Sequence, residues 1–82
     1  MAGYHYVYIL QSESSPTRFY TGLTTDLRCR LAKHNEGGTP HTANHRPWSI
    51  KTAIAFTDPV RAASFEHYLK TSSGRAFSRK HL

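Results

Sequence analysis

The chain has 82 residues, enough for one domain, because a chain of this length buries only roughly 60% of its unfolded surface and cannot support two cores. Hydrophobic residues make up 38% and charged residues 20%, which excludes a disordered or membrane-embedded protein. Eleven Lys and Arg residues against five Asp and Glu residues give a formal charge of +6, which suits a polyanionic partner.

The first predicted elements form a β-hairpin. Residues 4–10 carry tyrosines at alternate positions and β-branched residues between them, a pattern typical of a strand. Residues 11–17 hold serines and a proline, which is turn chemistry, and residues 18–21 resume an extended pattern. Gly22 is expected to end the second strand, where the backbone must turn sharply.

A helix is predicted next, capped by Thr24 or Thr25 and running to about Asn35. Its apolar residues form a buried ridge. At about 100° per residue, Arg30 and His34 fall on a row beside that ridge, so both are expected at the border between core and solvent. The following residues, up to Pro47, predict an irregular basic surface loop.

The second half of the chain predicts a third strand over residues 49–56 and a helix from Asp58-Pro59 to about Lys70, since aspartate and proline favour a helix start. Glu66 is expected at the border of this helix, and residues 75–82 form a short basic tail. The order β-β-α-β-α predicts an α+β fold, a small three-stranded antiparallel sheet flanked by helices. The fold also allows a short helix at the C-terminus. No repeat or linker is visible, so residues 1–82 are interpreted as a single domain.

Four short motifs stand on these elements. Tyr6-Val7-Tyr8 lies on the first strand, Tyr20-Thr21-Gly22 on the second, Arg30 on the first helix and Glu66 on the second. In this order and spacing they resemble the motifs of the GIY-YIG endonuclease family, over essentially the whole chain and closest to its small stand-alone members. The resemblance implies hydrolysis of DNA phosphodiester bonds with one divalent cation, Mg²⁺ or Mn²⁺, and no small-molecule cofactor.

The resemblance also implies roles for the site residues. Arg30 suits the phosphate oxygens, because guanidinium donors form a fixed fork, and Glu66 suits a hard cation as its metal ligand. Tyr20 is expected to orient or deprotonate the attacking water with support from Tyr8, and His34 is a proton shuttle or phosphate ligand. Leu23 stands where some family members carry a lysine near the water, so the general base is left open between Tyr20 and His34, with Tyr20 preferred.

A basic groove for DNA is predicted from the loop 41–48 and the tail 70–81, which add positive charge and the rings of Trp48 and Phe77. Single-stranded or branched DNA is preferred over regular duplex, with little sequence specificity. The predicted contact residues are Tyr6, Arg28, His45, Arg46, Trp48, Lys70, Arg75 and Arg79.

Other interpretations remain open at this stage. The tyrosines can be packing residues of a hairpin, and Glu66 can pair with Lys70 at i, i+4. The same fold can be a catalytically weak nucleic-acid-binding module, or an adaptor that docks a protein through Tyr4, Tyr6 and Trp48. Cleavage assays with and without a divalent ion separate these functions.

The chain lacks an apolar run of the roughly 18 to 20 residues that a membrane span needs, and its N-terminus does not resemble a signal peptide. One cysteine, Cys29, excludes an internal disulfide and a Cys-rich zinc site. A cytoplasmic protein without a membrane partner is expected, and the oligomeric state is left open.

Overall fold

The computed structural model describes residues 3–82. None of the helices in this part of the chain is long and apolar enough to cross a membrane. The elements in chain order are β1 (His5–Ser12), β2 (Phe19–Thr24), α1 (Leu27–Asn35), a short 3-10 helix (Ala43–His45), β3 (Trp48–Phe56), α2 (Pro59–Leu69) and α3 (Ser72–His81).

The three strands form one antiparallel sheet in the order β2-β1-β3. Because side chains alternate along a strand, β1 supplies both faces of the core. Val7 and Ile9 pack with α2 on one face, and Tyr8 and Leu10 pack with α1 on the other. The predicted α+β fold is confirmed, and helices cover both faces of the sheet.

Each of the three α-helices follows a residue whose side chain accepts a hydrogen bond from the first turn. Asp26 accepts from the backbone N–H of Cys29 at 3.0 Å, and Asp58 accepts from that of Val60 at 2.9 Å. The predicted threonine cap of α1 is therefore wrong. Thr24 is the last residue of β2, so the helix starts only after the chain has left the sheet.

The C-terminal tail is a complete ten-residue helix, α3, that folds back on α2. Gly74 makes this possible, because a Cβ atom there would lie 1.8 Å from the carbonyl oxygen of Tyr68. The predicted break at residues 71–74 is therefore too long, because only Lys70 and Thr71 separate the two helices and Thr71 is the N-cap of α3.

The pairing of β1 with β3 contains a bulge. Ile9 lies opposite Thr52, and the next residue, Leu10, lies opposite Ile50. Lys51 is therefore the extra residue of the bulge, and the pattern of alternation in β3 changes at this point. Ile50 consequently shares the face of Leu10, whereas Thr52 shares the face of Ile9.

Candidate active site

Three rings from β1, β2 and α1 meet on the α1 face of the sheet. The ring centroids of Tyr8 and Tyr20 lie 6.4 Å apart, and that of His34 lies 6.0 Å from Tyr8 and 4.9 Å from Tyr20. Tyr8 and Tyr20 are diagonal neighbours across the hairpin. The packing predicted for hairpin tyrosines is therefore present, and it places both phenols beside an imidazole.

A chain of hydrogen bonds runs inward from Tyr8. Its hydroxyl lies 3.0 Å from Nε2 of His34, and Nδ1 of His34 lies 2.9 Å from Oγ1 of Thr42. The Thr42 hydroxyl donates its single proton to the carbonyl oxygen of Thr39 at 3.2 Å, so it must accept from Nδ1. In the neutral imidazole Nε2 is then bare, and the Tyr8 hydroxyl donates to it.

Burial keeps this chain of groups neutral. Desolvation lowers the pKa of His34, and the positive charges of Arg30 and Lys33 lower it further. Desolvation also raises the pKa of Tyr8 to about 12, with a further increase from Tyr20, against a decrease caused by Arg30. At neutral pH the Tyr8 proton therefore stays on the phenol and points at His34.

His34 lies deeper than its helical position predicts. It is fully buried, whereas the sequence placed it at the border between core and solvent. The loop after α1 causes the difference, because Thr42 is also fully buried and covers the imidazole from the side away from Tyr8.

Gly22 fixes the position of the Tyr8 ring. It lies within β2, directly opposite Tyr8, and a Cβ atom there would lie 2.4 Å from the Tyr8 hydroxyl oxygen. The prediction that Gly22 ends the strand is wrong. Glycine is needed because the phenol crosses this backbone to reach His34.

Arg30 lies on α1, one turn before His34, and is half-buried. Its charge lowers the pKa of both His34 and Tyr8. Within residues 3–82 the ion pairs are Arg61 with Asp58 and Lys70 with Glu66, so Arg30 is free to bind an anion.

Glu66 lies on α2, which packs across the sheet from α1. Its charge adds to the increase in the pKa of Tyr8. An oxygen of Glu66 pairs with Nζ of Lys70 at 2.5 Å, and the Glu66 side chain is only 18% exposed. The predicted i, i+4 pair is therefore present.

A family model for the GIY-YIG catalytic domain matches residues 4–80. The chain belongs to the GIY-YIG family. Membership supports nuclease activity, and it confirms the resemblance seen in the motifs.

Relatives of two kinds match this GIY-YIG chain. The structure-specific endonuclease subunit SLX1 of Scheffersomyces stipitis is 43% identical over 68 residues, which cover 74% of this chain but only 20% of that protein. A UPF0213 protein of Haloquadratum walsbyi is 39% identical over 72 residues, covering 87% of this chain and 79% of the relative. The solution NMR structure of a UPF0213 protein from Bacillus halodurans is 34% identical with a TM-score of 0.56, covering 93% of this chain and 80% of the other.

The GIY-YIG resemblance implies a divalent cation, and the donors of this site fit one. Glu66 offers hard carboxylate oxygens, and one carboxylate completed by water and substrate phosphate is an ordinary Mg²⁺ arrangement. No cluster of three or more His, Cys, Asp or Glu side chains stands ready for a metal within residues 3–82. Lys70 would have to leave Glu66 for the ion to bind.

The structure does not bring all predicted DNA contacts together. Trp48 is 3% exposed, and its Nε1 donates to the carbonyl oxygen of Thr42 at 2.8 Å. Its ring therefore serves the core and cannot stack on a base or dock a partner as predicted. The loop that carries His45 and Arg46 lies on the α1 face, whereas the tail residues Arg75 and Arg79 lie on the α2 and α3 face.

The remaining predicted contacts stay at the surface. Arg28 is exposed on α1, and Tyr6 is half-buried on β1, where its ring lies 6.2 Å from that of Tyr4. Phe77, the other ring of the predicted groove, packs on Phe65 with ring centroids 6.4 Å apart. The single groove predicted from loop and tail is thus two separate surfaces.

Thr42 is the residue of this GIY-YIG site that the sequence did not indicate. It lies in a loop of polar residues, and neither spacing nor periodicity distinguishes it there. Asn35 is a second such residue, since its side chain holds both the N–H and the carbonyl of Trp48, at 2.6 and 3.0 Å. Only their tertiary contacts reveal these roles.

Proposed function

We propose that this protein is a divalent-metal-dependent DNA endonuclease. The observation that carries the proposal is the buried hydrogen-bond chain from Tyr8 through His34 to Thr42, with Arg30 one turn before His34 on α1. This network holds the imidazole in one tautomer, with Nε2 facing the Tyr8 hydroxyl. A hydrolytic site needs such a group to receive a proton.

Arg30 is proposed to bind the scissile phosphate. A phosphodiester is anionic and resists attack, so a catalyst must offset the charge on the non-bridging oxygens. The guanidinium presents paired donors to those oxygens and stays charged throughout the reaction. Arg30 forms no ion pair with a carboxylate within residues 3–82, which supports this role.

Tyr8 and His34 together are proposed to accept the proton of the attacking water, in place of the Tyr20 predicted from the sequence. The Tyr8 oxygen receives that proton while its own proton passes to Nε2 of His34, which becomes an imidazolium held by Thr42. The water oxygen bonds to phosphorus, the bond from phosphorus to the leaving oxygen breaks, and the leaving oxygen takes up a proton from solvent water. Tyr20 packs on His34 and is proposed to orient the water.

Glu66 is proposed to hold the cation, Mg²⁺ or Mn²⁺, after Lys70 has moved away. When bound, the ion offsets charge on the phosphate and on the leaving oxygen. The Lys70 ammonium group, released from Glu66, is then free to contact the DNA backbone.

The substrate is proposed to be DNA that contains single-stranded or branched regions. The yeast relative is described as a structure-specific endonuclease subunit, although this chain spans only a fifth of it. A cytoplasmic location stays a prediction.

Incubation of the purified protein with labelled single-stranded, branched and duplex DNA tests the proposal. We expect cleavage with Mn²⁺ or Mg²⁺, none in EDTA, and a loss of at least about 100-fold in Glu66→Gln and Arg30→Ala. Arg61→Ala removes an exposed arginine of α2 and serves as the control. Undiminished cleavage in both site variants would contradict the proposal.

A catalytically weak DNA-binding module is the second proposal, and Leu23 favours it. Leu23 packs against the cluster of Val7 and Ile9, so a position that carries a lysine near the water in some family members serves the core here. The same assay separates the two functions, because binding without metal-dependent cleavage supports the module.

A further inference from the structure

A second concave surface lies on the face of the sheet that α2 and α3 cover. It is a groove of about 870 Å³ between β2 and α3, with Ile9 and Leu69 among its apolar lining residues. No acidic residue is among those that line it within residues 3–82. Five cationic residues do line it, namely Arg18, Lys51, Lys70, Arg75 and Arg79.

Three of these cations are free to meet a ligand. Arg18, Arg75 and Arg79 are exposed and take part in no ion pair within residues 3–82. Lys51, the bulge residue of β3, contacts the carbonyl oxygen of Leu82, and Lys70 pairs with Glu66. The three unpaired arginines therefore give the groove a net positive charge, which attracts a polyanion.

An aromatic ring stands among the cations. Phe19 is the first residue of the edge strand β2, lines the groove and is 51% exposed. The result is an exposed aromatic ring beside arginine side chains. It is the arrangement that binds unpaired bases, whose faces stack on aromatic rings while the phosphates meet arginine and lysine.

Two of the residues that line the groove contact residues of the candidate active site. Tyr20 lines the groove and packs its ring against His34 at 4.9 Å. Lys70 lines the groove and pairs with Glu66. Tyr20 lies opposite Leu10, so its ring is on the α1 face although the residue borders the groove. Because β2 is an edge strand, a DNA strand that leaves the groove reaches the α1 face around this edge.

We propose that this groove binds the single-stranded DNA segment next to the scissile phosphate, with a base stacked on Phe19 and phosphates on Arg18, Arg75 and Arg79. The proposal rests on the endonuclease function proposed above and specifies its substrate. A regular duplex keeps its bases stacked inside, so it can use the cations but not the ring.

Fluorescence anisotropy with a labelled oligothymidylate in EDTA measures binding without cleavage. Phe19→Leu keeps an apolar side chain but removes the aromatic face, and we expect a Kd for the single strand that is roughly 5- to 100-fold higher, with duplex affinity unchanged. Tyr4→Leu removes an aromatic ring of equal exposure outside the groove and is expected to have no effect. An unchanged Kd in Phe19→Leu would overturn the proposal.

The arginines are tested through the salt dependence of the same binding. In the double variant Arg75→Ala/Arg79→Ala we expect the slope of log K against log salt to fall by about 1.4, because each phosphate contact on a single strand contributes about 0.7. Lys80→Ala removes a charge from the same helix outside the groove and should leave the slope near that of the parent. Equal losses for oligothymidylate and for dextran sulfate in all variants would show charge attraction alone and overturn the proposal.

Cleavage at saturating DNA separates this proposal from the endonuclease function. We expect the groove variants to raise KM and leave kcat near the parent value. Binding that depends on Phe19 without any cleavage in Mn²⁺ supports the groove and contradicts the nuclease. Cleavage with a normal KM in the groove variants contradicts the groove and supports the nuclease, and thermal melts of all variants show that they are folded.

Discussion

The two faces of the sheet use polar residues in opposite ways. On the α1 face, Tyr8, His34 and Thr42 are buried and satisfy one another. On the α2 and α3 face the interior is apolar, and the charged residues stand at the rim of an open groove. Burial defines the protonation state of a few groups, whereas exposure leaves charges free for a ligand.

The difference has a consequence for substitutions. On the α1 face a substitution affects stability and activity together. The hydrogen bonds that position Tyr8 also offset the free-energy cost of burying Tyr8 and His34. On the groove face a change affects binding with little effect on stability. Four substitutions test this contrast.

Tyr8→Phe has the largest expected effect. It removes the donor to Nε2 of His34 and leaves a buried nitrogen without a partner, which costs about 1–3 kcal/mol of unfolding free energy. Loss of the proton acceptor lowers kcat by about 10²- to 10⁴-fold. Urea unfolding and single-turnover cleavage measure the two effects, with Tyr68→Phe, at an exposed tyrosine, as the control. Full activity would show that the two faces differ only in stability.

Gly22→Ala should come next. The new Cβ would meet the Tyr8 ring at 2.4 Å, so the ring must move away from His34. Overpacking costs about 1–3 kcal/mol, and a displacement of about 1 Å lowers activity about 100-fold. Gly3→Ala, where nothing lies within 4 Å, is the matched control in the same melting and cleavage assays. Parent-like activity in Gly22→Ala would show that the position of Tyr8 is not critical.

The protonation of His34 predicts a pH dependence. Its pKa is lowered in the folded protein, so below about pH 6.5 the unfolded chain takes up a proton that the folded chain does not. The unfolding free energy therefore falls with decreasing pH, by up to about 1.4 kcal/mol per pH unit, until the folded pKa is reached. Activity falls in acid too, because the imidazolium has no free Nε2 for the Tyr8 proton.

Denaturant unfolding as a function of pH measures this effect. His34→Gln should lose this component of the pH dependence, whereas His67→Gln, at an exposed histidine of α2, should retain it. Parallel pH profiles for the parent and His34→Gln would contradict the buried neutral imidazole.

Lys70→Ala has the smallest expected effect on stability. The Lys70 side chain is 51% exposed, so its pair with Glu66 contributes no more than about 1 kcal/mol. Freeing Glu66 should tighten Mn²⁺ binding by less than about tenfold, as measured by titration calorimetry. Arg61→Ala, which breaks the exposed pair with Asp58, should leave Mn²⁺ binding unchanged. Weaker Mn²⁺ binding in Lys70→Ala would show that Lys70 assists the metal.

Local patterns predicted the fold well. The alternating tyrosines placed β1, and Asp58 with Pro59 placed the start of α2, because strand and cap preferences act over a few residues. The same patterns misjudged Gly22, since a glycine inside a strand and one at a turn look alike until the ring across the pair is known. Trp48 was misjudged as well, because the polar loop residues that precede it give no sign of its burial.

The sequence by itself determined the order of the elements, and it predicted Tyr8, Tyr20, Arg30, His34 and Glu66 as site residues. Strand and helix periodicity and the spacing of the motifs depend only on residues that are close in the sequence. Only the tertiary structure decided that His34 is buried and neutral and that loop and tail lie on opposite faces. The bond from Tyr8 to His34 joins residues 26 apart, and the bond from His34 to Thr42 joins residues 8 apart, so burial and tautomer depend on contacts beyond the reach of local propensity.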